Sequence, residues 1–152
     1  MSRGAGVLKE AGPVLEVVRI FDASRHDVWK AWTDPEALKK WWGPRGAAVP
    51  EYTLDLRPGG PWRARMRAPS GEEHWARGIY QEIVPPRRLT YTWIWEHGDN
   101  HEMLVNVSFE ELGYKTRVTL VQSDFETPAD CDEHREGWTQ SMDRLAEYVG
   151  KR

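Results

Sequence analysis

Residues 89–120 read LTYTWIWEHGDNHEMLVNVSFEELGYKTRVTL, and the period of this stretch sets the kind of fold. Leu89, Tyr91, Trp93 and Trp95 alternate with Thr90, Thr92 and Ile94. Met103, Val105, Val107 and Phe109 alternate with Leu104, Asn106 and Ser108, and Thr116, Val118 and Leu120 alternate with Arg117 and Thr119. Side chains two apart on a strand share a face, so each run predicts a strand with one apolar side. The polar loop Glu96 to Asn100 and the turn at Gly113 are too short for a parallel crossover. The stretch therefore predicts an antiparallel meander whose apolar face needs a cover.

The cover follows in the chain. Thr127-Pro128 supplies a helix N-cap and a proline at the first helical position, and Asp130, Asp132 and Glu133 put negative charge where the helix dipole favours it. Trp138, Met142, Leu145 and Val149 fall on one helical face. A helix running past about 20 residues would span about 30 Å, and no other predicted element is long enough to cover a sheet.

Upstream of residue 89 the same period continues. Tyr52, Leu54 and Leu56 alternate with Glu51, Thr53 and Asp55, and Arg57-Pro58-Gly59-Gly60 makes a turn. Trp62, Ala64 and Met66 then face away from Arg63, Arg65 and Arg67. His74 to Val84 reads as a strand of ambiguous face, with Ile79 and Ile83 on one side, Tyr80 on the other and Gly78 as an expected bulge. Nearer the start, Val14 to Phe21 is a β-branched strand. Ser24, with Asp27 three residues on, caps a helix over Arg25–Thr33, and Asp34-Pro35 starts a second that stops at Gly43-Pro44. The expected fold is α+β: strand, two short helices, six strands, one long helix. It is expected to form a single domain over 14–150 behind an N-terminal extension, 1–13.

Composition narrows the function. The 152 residues suit one domain with a sizeable core, and no apolar run approaches the roughly 18 residues of a membrane span. Met1 to Gly12 lacks the apolar stretch of a signal peptide, and Cys131 is the single cysteine, so a reduced cytoplasmic setting is expected. A net charge of −3 gives no electrostatic case for a nucleic-acid binder. The charge is uneven: residues 1–88 carry 15 basic and 11 acidic side chains, residues 89–152 carry 6 and 13. Nine tryptophans exceed what a small core needs if each indole N–H must find an acceptor, so some are expected to line a cavity or face a partner.

Catalytic signals are weak. There is no GxSxG, P-loop or HExxH string. Cys131 has Asp130, Asp132 and Glu133 as neighbours, which oppose a thiolate. Asp55 is expected to support its turn, and the arginines point outward, where Arg63, Arg65 and Arg67 with Arg77 would make a cationic stripe for an acidic partner. His97 and His101 in EHGDNHE, and His134 beside Cys131, lack the helical spacing that fixes a metal site, and a solvated turn is expected. No catalytic residue, metal or cofactor is predicted; enzymatic activity is left open, leaning against.

Several strings resemble one family: Val28-Trp29-Lys30-Ala31-Trp32-Thr33-Asp34-Pro35-Glu36, Trp41-Trp42-Gly43-Pro44, Asp55-Leu56-Arg57-Pro58-Gly59-Gly60, Leu89-Thr90-Tyr91-Thr92-Trp93 and Gly137-Trp138. Together, over about residues 14–149, they resemble the SRPBCC superfamily, the START/Bet v 1-like helix-grip fold. The nearest branch is the one named for the C-terminal domain of the heat-shock protein 90 ATPase activator. The resemblance implies a hydrophobic cavity between sheet and long helix. Relatives bind lipids, sterols or polyketides there, and some are cyclases. On that expectation the cavity lining is Trp62, Met66, Tyr91, Trp93, Trp95, Met103, Val105, Trp138 and Met142, around a small apolar or aromatic ligand that Tyr91 or an indole N–H orients. The branch name implies one alternative, a chaperone-binding ATPase-activator module with a stress-response role, and the superfamily implies another, a polyketide cyclase-like cavity enzyme. This chain is expected to lack the separate N-terminal domain of the full-length activator. A monomer or homodimer fits, without nucleic acid or a membrane span.

Overall fold

The computed structural model describes residues 12–150. The expectations for the N-terminal extension and for a missing signal segment fall mostly on residues 1–11, outside the described residues. The elements in chain order are β1 (Leu15–Phe21), α1 (Arg25–Thr33), α2 (Pro35–Trp41), β2 (Ala48–Leu54), β3 (Pro61–Arg67), β4 (Glu73–Val84), β5 (Arg88–Trp95), β6 (Glu102–Leu112), β7 (Lys115–Ser123) and α3 (Pro128–Gly150). This is the order expected from the sequence. The strands form one curved antiparallel sheet in the order β1-β7-β6-β5-β4-β3-β2. The β5–β6–β7 meander holds its register throughout, from Arg88 opposite Ser108 to Leu112 opposite Lys115.

The helices begin where their caps say. The Ser24 hydroxyl accepts from the Asp27 N–H at 3.1 Å, and the Asp34 carboxylate accepts from the Glu36 N–H at 3.0 Å. The Thr127 hydroxyl accepts from the Asp130 N–H at 3.1 Å and opens a helix of 23 residues. Its buried face, including Trp138, Met142, Leu145 and Val149, lies against the sheet core. At about 1.5 Å per residue it is long enough to cross the sheet.

In β4 the structure corrects one expectation. Tyr80 points inward and is 3% exposed, while Ile79 points out at 43%. The register shift between β4 and β5 lies between Tyr80 and Glu82, not at Gly78. Gly78 has a different task. A Cβ there would sit 1.8 Å from the Thr92 carbonyl oxygen and 2.5 Å from Trp62 Nε1. The indole of Trp62 lies over the glycine and donates to that same carbonyl at 3.0 Å, so the position has no room for a side chain.

The outer face of the sheet is a lattice of ion pairs. Arg63 makes a forked contact with Glu96 at 2.8 and 2.9 Å, and its guanidinium lies 3.8 Å from the centre of the Trp75 ring. Arg65 reaches Glu51 and Glu73, Arg67 reaches Glu73, and Arg88 forks onto Glu82. The Arg63 hydrogen bond holds the Glu96 carboxyl below its ordinary value, and Arg67 does the same for Glu73. The arginines do point outward, and neighbouring carboxylates already pair Arg63, Arg65 and Arg67 of the stripe. Asp55 accepts from Arg57 Nε at 2.7 Å within its turn.

Candidate ligand pocket

Between the sheet and the first half of α3 the layers do not close. A cavity of about 470 Å³ opens there to solvent, in the size range of small-molecule sites. One wall is the loop after α2. Gly43 takes a φ of +100°, which favours glycine, and its N–H donates to the Ser141 hydroxyl at 3.0 Å. Arg144 donates to the carbonyls of Gly43 and Pro44 at 3.1 and 3.0 Å, which ties this loop to α3. The opposite wall is the β5–β6 hairpin loop, where His101 bonds to the Asp124 carbonyl and its N–H donates to Asp99 at 3.2 Å.

Aromatic side chains make the floor. Trp42 and Trp93 stack at 5.3 Å, Trp93 meets Trp95 and Trp138 edge-on at 5.4 and 5.8 Å, and all four indoles line the cavity. Met66 and Met103 add flexible apolar surface. Trp93 has an indole N–H without an acceptor among the described residues, and so does Trp32 deeper in the core.

A buried polar chain underlies the floor. Trp95 Nε1–H donates to His134 Nε2 at 2.9 Å, His134 Nδ1 lies 3.1 Å from Gln122 Oε1, and Trp138 Nε1–H donates to the same oxygen at 2.8 Å. An indole nitrogen only donates, so Gln122 presents its oxygen and His134 carries its proton on Nδ1. Gln122 is fully buried, and its amide nitrogen lies 3.5 Å from Met103 Sδ. Burial lowers the His134 pKa from 6.5 to about 4, with nearby Asp130 pulling the other way. Both imidazole nitrogens are engaged, so the ring serves as a structural bridge and has no free lone pair for a substrate.

Of the nine side chains read from the sequence as lining, Met66, Trp93, Trp95, Met103 and Trp138 surround the cavity. Trp62, Tyr91, Val105 and Met142 sit in the packed core and do not face it. Tyr91 is enclosed beside Trp62 and Tyr80, and burial raises its pKa well above the ordinary value. The sequence reading missed Trp42, Ser141 and Gly137 in the wall, and it missed the His134–Gln122 bridge. Gly137 is informative, because a Cβ there would meet nothing within 4 Å. Cys131 is buried and absent from the wall. Among the described residues, no three His, Cys, Asp or Glu side chains gather as a metal site would require. His97 packs against His74 with the rings tilted and their centroids 4.5 Å apart, while His101 turns to Asp124.

A long helix gripped by a curved antiparallel sheet, with a mouth between them, defines the helix-grip class of α+β proteins. The sequence profile of the family described as "Activator of Hsp90 ATPase homolog 1-like protein" matches residues 22–150, and the chain belongs to that family. The AHSA1 protein from Silicibacter pomeroyi is 28% identical, with a TM-score of 0.82 over 91% of this chain and 98% of that one. A protein from Chromobacterium violaceum is 27% identical, with a TM-score of 0.80 over 90% of this chain and 96% of that one. CalU16 from Micromonospora echinospora is 27% identical, with a TM-score of 0.69 over 90% of this chain and 75% of that one. No curated protein matches the sequence. No helix among the described residues is long and apolar enough to cross a membrane.

Proposed function

We propose that this chain, as one domain over 14–150 in a cytoplasmic setting, binds a small apolar or aromatic molecule between its sheet and α3. The observation that carries the reading is the open cavity of about 470 Å³ floored by four indoles and two methionines. Binding would be driven by apolar area leaving water, at about 25 cal/mol per Å². The paired nitrogens of His134 favour a binding or carrier role over acid–base chemistry at this site.

Native mass spectrometry of freshly purified protein, set against its denatured mass, tests the reading and reports the oligomeric state. The expected result is an added mass that leaves on denaturation and is absent from Gly137→Leu, whose side chain fills the space beside the helix. Identical native and denatured masses, together with no uptake from a panel of apolar compounds, would contradict it. A second reading, a chaperone-activator module, is supported by the family description alone. It expects stimulation of a matching chaperone ATPase, and the neutralised arginine stripe removes the most obvious docking charge from the sheet's outer face.

A further inference from the structure

The carboxylates at the rim of the cavity have no basic side chain among them other than imidazoles. Asp99, Glu126, Asp130 and Glu133 line it with His74, His97, His101 and His134, and no lysine or arginine does. On the outer face of the sheet, by contrast, Glu51, Glu73, Glu82 and Glu96 each meet an arginine. At the rim, Asp99 holds only its own loop through the His101 N–H, and Glu126 lies 3.9 Å from His101 Nδ1. Asp130 and Glu133 have no ion-pair partner among the described residues, although Arg135 on the same helix pairs with Asp132 instead.

The helix dipole accounts for one of the four and, against the expectation from the sequence, not for Glu133. Asp130 is in the first turn of α3, where the dipole favours an anion. Glu133 lies beyond that turn, and Asp99 and Glu126 lie outside the helix. Four like charges around one mouth repel one another, so their shared position is a cost unless a cation comes to meet them. Beneath them Trp42, Trp93, Trp95 and Trp138 line the cavity with aromatic surface, which attracts cations and flat rings alike.

We infer that the ligand is a small arylalkylamine, its ring on the indole floor and its ammonium group among the rim carboxylates. The inference rests on the cavity being the ligand site and adds the charge of what enters it. The cavity volume limits the occupant to a small molecule.

Three probes with one ring separate the two claims: 2-(2-naphthyl)ethylamine, 2-(2-naphthyl)ethanol and 2-naphthylacetate, each measured by equilibrium dialysis at pH 7.5 and low salt. The amine is expected to bind about tenfold tighter than the alcohol and the carboxylate weakest, with the gap narrowing in 0.5 M salt. The double variant Glu126→Gln, Glu133→Gln should cut the amine's advantage to about threefold or less. Neither position is a helix cap, and a melting curve verifies the fold. Equal binding of amine and alcohol, tightest binding of the carboxylate, or an undiminished advantage in the variant overturns the inference while leaving the cavity reading intact. If none of the three binds, the cavity reading fails and the inference falls with it.

Discussion

The space between sheet and α3 is filled at one end and open at the other. In the second half of the helix Met142, Leu145 and Val149 are buried in the core, with Arg19 of β1 paired to Asp143 beside them. Toward its N-terminus, as far as Ser141, the helix presents His134, Gly137, Trp138 and Ser141 to a cavity. The two halves belong to one helix with one buried face. What separates them is side-chain volume and polarity. Aliphatic side chains close the layers by packing. A glycine, a serine and a histidine held by its neighbours leave them apart, and the buried His134–Gln122 pair fixes the floor so that the gap does not collapse.

The contrast is sharpest under truncation. Leu145→Ala, at a fully buried site, is expected to cost about 2–5 kcal/mol in chemical denaturation. Met66→Ala, in the cavity wall beside the Gly43 loop, is expected to cost less than about 1.5 kcal/mol, because it enlarges a space that is already open. Equal costs at the two sites would break the comparison.

The next effect depends on pH. His134 binds its proton at about 4 in the folded protein and at about 6.5 when unfolded. Below 6.5 the unfolded chain therefore takes up a proton that the folded chain refuses. The stability present above pH 6.5 is lost as pH falls toward 4, by about 3 kcal/mol in all. His134→Gln is expected to flatten that part of the stability–pH curve, and an unchanged slope between pH 6.5 and 4.5 would show that burial does not hold the ring neutral.

The smallest effect has the opposite sign. Gly137→Ala places a methyl group in open space within a helix, so it is expected to stabilise by about 0.5–1 kcal/mol in a melting experiment. A loss of stability would mean that the cavity wall is tighter there than the structure has it.

The fold was legible because its signals are local. Period two marked the strands, Ser24, Asp34 and Thr127 marked the helix starts, and the face of Trp138, Met142, Leu145 and Val149 marked α3. The site was legible only in part, because period tells which face a residue is on and not which end. Tyr91 and Trp93 share the inner face of β5, yet Tyr91 is enclosed in the core and Trp93 reaches the cavity. Trp138 and Met142 divide in the same way along α3. Gln122 continues the inward series of Thr116, Val118 and Leu120, and His134 stands four residues before Trp138. Neither position was read as inward, and their pairing joins a strand to a helix, which no spacing rule encodes.

The central claim is that the open end of this space, and not its filled end, receives a ligand. The most direct measurement is the tryptophan indole N–H region of a ¹H–¹⁵N correlation spectrum during titration with 2-(2-naphthyl)ethanol. The account predicts saturable shifts of the Trp95 and Trp138 indoles, which bridge beneath the cavity floor, with Trp41, bonded to the Ala31 carbonyl in the filled core, unmoved. Shifts confined to Trp75 on the outer sheet face, or no saturable shift at any indole, would contradict it.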